Sequence, residues 1–96
     1  MTELETIARA VHEFDSSVPW DTANPQRRAY AYRMARTIAS ARKVGQTVTE
    51  AADRLIVWYQ VDYKQEGPKG RKFAEPWLAQ RMDDIVMAAV KGLAAA

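Results

Sequence analysis

Residues Asn24–Gly45 read NPQRRAYAYRMARTIASARKVG, a helix with both of its ends written in. Asn24 is a good N-cap, Pro25 takes the first helical position, where a missing N–H is tolerated, and Gly45 supplies the stop. Six cations lie between them (Arg27, Arg28, Arg33, Arg36, Arg42 and Lys43) and no acid. At 100° per residue, Tyr30, Ala31, Met34, Ile38 and Ala41 share one stripe. Arg28, Arg33, Arg36, Arg42 and Lys43 spread over the remainder, with Tyr32 among them. The segment predicts a helix over 25–44 with an apolar face for a core and a basic face for something else.

The flanking segments repeat the pattern. Thr2 and Glu5 have capping-box spacing, and Leu4, Ile7, Ala8, Val11 and Phe14 recur at helical intervals, which predicts a helix near 3–14. Glu5, Arg9 and Glu13 support its outer face at i, i+4 spacing. His12 flanks the stripe; without a cysteine or a second histidine nearby, it reads as a packed histidine and not a ligand. Asp15–Ala23 is rich in turn formers. Trp20 within it reads as a plug folded over a helix junction, with an exposed anchor as the other reading. Thr47 and Glu50 again have capping-box spacing and start a helix near 48–65. Its segment 55–61 is β-prone by composition, but the capped start and the lack of a turn signal before Gly67 favour one continuous helix. Val48, Ala52, Leu55 and Tyr59 share a face, Val57 and Val61 point away from it, and Asp62 lies close enough to meet an arginine of the preceding helix. A helix apolar over so much of its circumference is central in a bundle or joins two copies as a homodimer. A basic Gly/Pro loop spans 66–74, and Pro76 opens a last helix over 76–93 with Leu78, Met82, Ile85, Val86, Ala89 and Leu93 as its stripe. Trp77 lies off that stripe. Gly92 and the terminal alanines read as a fraying end. The fold class is all-α, a small single-domain bundle of about four helices.

Composition narrows the function. Ninety-six residues with 48% apolar content suit one domain with a modest core. Without cysteine there are no disulfides, thiolate metal sites or cysteine nucleophiles, and a reducing, cytoplasmic setting is expected. No apolar run approaches the roughly 20 residues of a membrane span, and the acidic start Met1-Thr2-Glu3 does not resemble a signal peptide. The net charge of +2 conceals blocks: residues 1–24 carry −4, 25–46 carry +6, 47–63 carry −2 and 64–75 carry +2. Such alternation either binds helices internally or sets a basic surface apart from an acidic one.

Catalysis is not expected. Asp83 and Asp84 are adjacent and point about 100° apart on a helix, so they cannot act as one dyad. Glu50 and Asp53 sit where carboxylates favour a helix N-terminus anyway. No metal or cofactor set is visible. The candidate surface is the basic helix face with exposed aromatics: Arg28, Tyr32, Arg33, Arg36, Lys43 and Trp77 for an acidic protein partner. The alternative is a nucleic-acid binder, to which Arg42, Lys69, Arg71 and Lys72 would add phosphate contacts through helix 25–44 and loop 64–72. Six cations without an acid exceed what solubility needs, although pairing with the acids of the first segment would also use them.

Two resemblances bear on this. Thr47-Val48-Thr49-Glu50-Ala51-Ala52-Asp53-Arg54-Leu55 resembles the first helix of the helix-turn-helix in excisionase-like DNA-binding proteins, and the block Gly67–Lys72 resembles their basic wing. Ile56-Val57-Trp58-Tyr59 follows in place of the turn and recognition helix of that family. Trp20, Arg28, Tyr32 and Ala35, after an Ala-Val-His-Glu helix, resemble a pattern in short accessory proteins of actinobacterial phages. The second resemblance covers about the first 45 residues and implies no activity, only a protein that acts by binding a host component.

Overall fold

The computed structural model describes all residues, Met1–Ala96. Four helices follow in chain order: α1 (Glu3–Asp15), α2 (Pro25–Lys43), α3 (Val48–Asp62) and α4 (Pro76–Ala95), with single 3-10 turns at Trp20–Thr22 and Arg71–Phe73. The protein is all-α, and the β-prone segment 55–61 is helical throughout.

Three of the helices start on a side-chain cap. The Thr2 hydroxyl accepts from the Glu5 amide at 3.1 Å and Asn24 Oδ1 accepts from the Arg27 amide at 2.8 Å. Thr47 and Glu50 form a complete capping box, with bonds of 3.1 and 3.0 Å. The backbone hydrogen bond from Thr47 is the first cause holding the Glu50 carboxyl below its usual range. α4 begins at Pro76 without a side-chain cap. The Thr2, Asn24 and Thr47 side chains each satisfy a donor that a helix start leaves open, a cap of this kind contributing about 1 kcal/mol.

α1 packs on α2 and α4, and α3 packs on the same two. The helices thus form a ring in chain order, with neighbours antiparallel. Arg42 near the end of α2 accordingly meets Glu3 at the start of α1, and Tyr59 late in α3 meets Trp77 early in α4. Ile7, Val11, Met34, Ile38, Leu55, Ile56, Met82, Ile85 and Val86 fill the centre. Ala8, Ala35, Ala41, Ala52 and Ala89 are fully buried between them, and their small side chains let the helices approach closely. Burial of Leu55 or Ile56 contributes about 2 kcal/mol each.

Four local expectations change. Phe14 is exposed: the buried arc of α1 is centred on Ala8 and Val11, which puts Phe14 at its margin, while His12 packs inward. Tyr30 flanks the α2 core stripe, half-buried, and Ala35 is buried in the stripe in its place. α3 stops at Asp62, short of 65, because Lys64 adopts a left-handed φ of 55° and lets the Gln65 amide return to the Gln60 carbonyl at 2.8 Å. Gly92 does not fray. It lies within α4, where a Cβ would stand 2.7 Å from the Cβ of Ala10.

Candidate functional site

The outer face of α2 follows from its periodicity. Ala29, Arg33, Arg36, Ser40 and Lys43 fall within about 40° of one line along the helix, opposite the buried Ala31, Met34, Ile38 and Ala41. All five are exposed. An open groove of about 680 Å³ lies over the first half of this face, lined by Arg28, Ala29, Tyr32, Arg33 and Arg36, with Ala23 and Pro25 at its end. Four of the six residues proposed for partner contact are therefore gathered in one groove. Lys43 stands further along the same helix face, beside Ser40 and Arg42.

The cations of this face differ in what they touch. Arg33 pairs with Asp62 of α3 at 2.6 Å, as the sequence suggested for Asp62, and lies 5.2 Å from the Trp58 ring centroid. Arg42 pairs with Glu3 at 3.3 Å. Arg28 has no carboxylate. It donates from Nη2 to the Trp20 carbonyl at 2.8 Å and lies 5.0 Å from the centre of the indole. Trp20 is buried, 4% exposed, as a plug. His12 meets it edge-on at 5.7 Å and donates from Nε2 to the Val18 carbonyl at 2.7 Å. Tyr32 meets the other side of the indole edge-on at 5.6 Å. The short loop is thus a platform that holds Arg28 and Tyr32, a role the sequence did not reveal beyond the presence of a tryptophan there.

The second basic block, in the loop 66–74, is tied to the helices at several points. The amide side chain of the fully buried Gln60 grips Gly70 on both sides: Gly70 N–H donates to Oε1 at 2.7 Å and Nε2 donates to the Gly70 carbonyl at 3.2 Å. Arg71 then bridges α3 and α4, donating from Nε to Asp53 at 2.6 Å and forming a fork on Asp83 at 2.7 and 3.0 Å. Asp83 first and Asp53 second hold this guanidinium charged even more firmly than usual. Lys69 turns back to donate to the carbonyls of Gly67, at 2.6 Å, and Gln65. Of the four residues expected to touch phosphate, Arg42 and Arg71 are engaged by carboxylates and Lys69 by carbonyls. Lys72 is exposed, 6.0 Å from the Phe73 ring.

The two basic blocks do not form one surface. Asp53 and Asp62 are nine residues apart on α3, which turns them to opposite sides of that helix. Arg71 binds on one side and Arg33 on the other. Trp77, 55% exposed, belongs to the α3–α4 side, where it meets Tyr59 edge-on at 5.9 Å, and Tyr59 stacks on Tyr63 at 4.3 Å. It is not brought to the α2 groove.

Asp83 and Asp84 have separate partners, Arg71 and Gln80. No group of three or more His, Asp or Glu side chains is placed to hold a metal ion. No helix is long and apolar enough to cross a membrane. No family model, curated protein or solved structure matches the chain.

Proposed function

We propose that the protein is a non-catalytic interaction module that seats an acidic segment of a protein partner on the outer face of α2. The observation that carries this reading is the groove in which Arg28, Tyr32, Arg33 and Arg36 stand together with no carboxylate among its lining residues. Lys43 extends the positive face beyond it. Pairing two copies through this face would set like charges against each other, so the occupant is a chain of opposite sign. Tyr32 supplies an amphipathic contact of the sort enriched at binding hot spots. The resemblance to short phage proteins supports an accessory role in the cytoplasm, exerted on a host component.

The nucleic-acid reading has less support. Arg42 and Arg71 are neutralised internally, and the two basic blocks face away from each other across α3, so no continuous track follows a phosphate backbone.

The test is fluorescence anisotropy of a labelled acidic helical peptide and a labelled random DNA duplex, at about 50 and about 200 mM salt. Wild type is compared with Arg36→Glu/Lys43→Glu. Peptide binding that falls by about tenfold or more in the variant, with the duplex much weaker, is the expected result. Steeply salt-dependent duplex binding that the variant abolishes would replace this reading with the nucleic-acid one. Absence of peptide binding at the lower salt would remove it.

A further inference from the structure

Most arginines of this protein have internal partners. Arg9, Arg33, Arg42, Arg71 and Arg81 each pair with a carboxylate, and Arg27 and Arg54 reach the hydroxyls of Ser16 and Ser40. Arg28 and Arg36 have neither kind of partner. Both line the α2 groove, and Tyr32 stands one helical turn from each. We infer that Arg28, Tyr32 and Arg36 form a seat for one phosphoryl group, carried on a side chain of the protein partner. The inference rests on the proposed reading of the α2 face and specifies its ligand.

The i, i+4, i+8 spacing places the two guanidiniums on arms rooted about 12 Å apart, with the Tyr32 ring between the roots. Arg28, Tyr32 and Arg36 all line the one groove. Arg28 is organised in advance: it lies over the Trp20 ring, and its Nη2 donates to the Trp20 carbonyl. Its Nε is shut away from solvent with no acceptor. A guanidinium held in place without a counter-ion keeps its remaining N–H donors for charge-assisted hydrogen bonds to an arriving oxyanion. The Tyr32 hydroxyl has no partner in the protein, while the edge-on contact with Trp20 fixes its ring. Two guanidiniums and one phenol thus offer donors to three oxygens.

Charge selects among oxyanions. Asp62 neutralises Arg33, which leaves +2 in the groove from Arg28 and Arg36. A phosphomonoester carries about −1.5 to −2 near pH 7 and matches that charge, whereas a carboxylate or a backbone phosphodiester carries one negative charge. The ligand is therefore a phosphorylated side chain rather than a nucleic-acid backbone.

A short acidic peptide with a single phosphoserine and its serine counterpart are titrated by anisotropy against the full-length protein, with inorganic phosphate and a single-stranded oligonucleotide as competitors. The expected result is affinity at least about tenfold higher for the phosphorylated form, with competition by inorganic phosphate at constant ionic strength. That ratio collapses in Arg36→Ala, whose side chain is exposed and whose loss leaves the fold intact by thermal melting. It persists in Lys91→Ala, which removes an exposed cation of α4 outside the groove. Equal affinity for the two peptides overturns the phosphoryl seat and leaves the acidic-face reading standing. Failure of both peptides to bind overturns both. Competition by the oligonucleotide at concentrations matching those of the phosphopeptide overturns the seat in favour of a phosphate backbone. An unchanged ratio in Arg36→Ala shows that phosphate binds elsewhere.

Discussion

Tyr30 shows how one residue joins two helices. It belongs to α2, is half-buried, and lies 5.5 Å from Trp58 of α3 between ring centroids. Its phenol is pushed up from 10.0 to about 12, first by burial and then by neighbouring Tyr63, Tyr59 and Asp62. The folded protein therefore holds this proton more tightly than the unfolded chain does. Its contribution to stability is complete below the unfolded value near 10 and is lost as pH rises towards about 12. The wild-type denaturation midpoint should fall more steeply over that interval than that of Tyr30→Phe. Parallel alkaline limbs in the two proteins would show that the phenol titrates as an ordinary tyrosine. The helical period put Tyr30 on the core stripe because its Cβ direction is nearly right. A polar hydroxyl at the rim cannot follow the alanines inward without losing its hydration.

The ends of α2 and α3 use one device with two different residues. After α2, Gly45 takes a φ of 75°, and the amides of Gly45 and Gln46 return to the carbonyls of Arg42 and Ala41. After α3, Lys64 takes a φ of 55°, and the amides of Lys64 and Gln65 return to Val61 and Gln60. Both are Schellman motifs. The first end was legible because glycine announces it, and the second was not, because lysine does not. A Cβ in the left-handed region costs about 1 kcal/mol or more, offset in part by the greater freedom of glycine in the unfolded chain. Lys64→Gly should raise stability by roughly 0.5–1 kcal/mol, read from the urea midpoint at unchanged slope. A lower midpoint would mean that the Lys64 side chain makes a contact worth more than the backbone strain. The loop that follows is ordered for a similar reason. A buried glutamine and a forked arginine grip it, and neither residue type signals order in a Gly/Pro segment.

At the scale of the molecule, the ring closes where α4 returns to α1. Gly92 faces Ala10 there, with no room for a further methyl group. Helix propensity alone favours Gly92→Ala by about 1 kcal/mol, while forcing a methyl into a close contact costs about 1–3 kcal/mol. The variant should therefore melt lower than wild type. Gly92→Ala combined with Ala10→Gly should recover part of the loss beyond additivity in a double-mutant cycle. Additive losses would show that the seam yields elsewhere. This packing also explains why a terminal glycine followed by alanines read as a frayed end. The neighbour that holds it lies far away in sequence, at the opposite end of the chain.

The four helices, most of their boundaries and the exposed position of Val57 and Val61 were written locally, because caps, proline at the first helical position and a repeat of 3.6 residues act within a few residues of themselves. The gathering of Arg28, Tyr32, Arg33 and Arg36 on α2 was local too, since one helix presents them all. Which cations remain available was decided by packing. Arg33 meets Asp62 across 29 residues of chain, and Arg42 meets Glu3 across 39. Arg71 is engaged by two carboxylates only because α3 and α4 bring Asp53 and Asp83 to one guanidinium. Charge in a sequence is additive, but charge on a surface depends on which helices become neighbours.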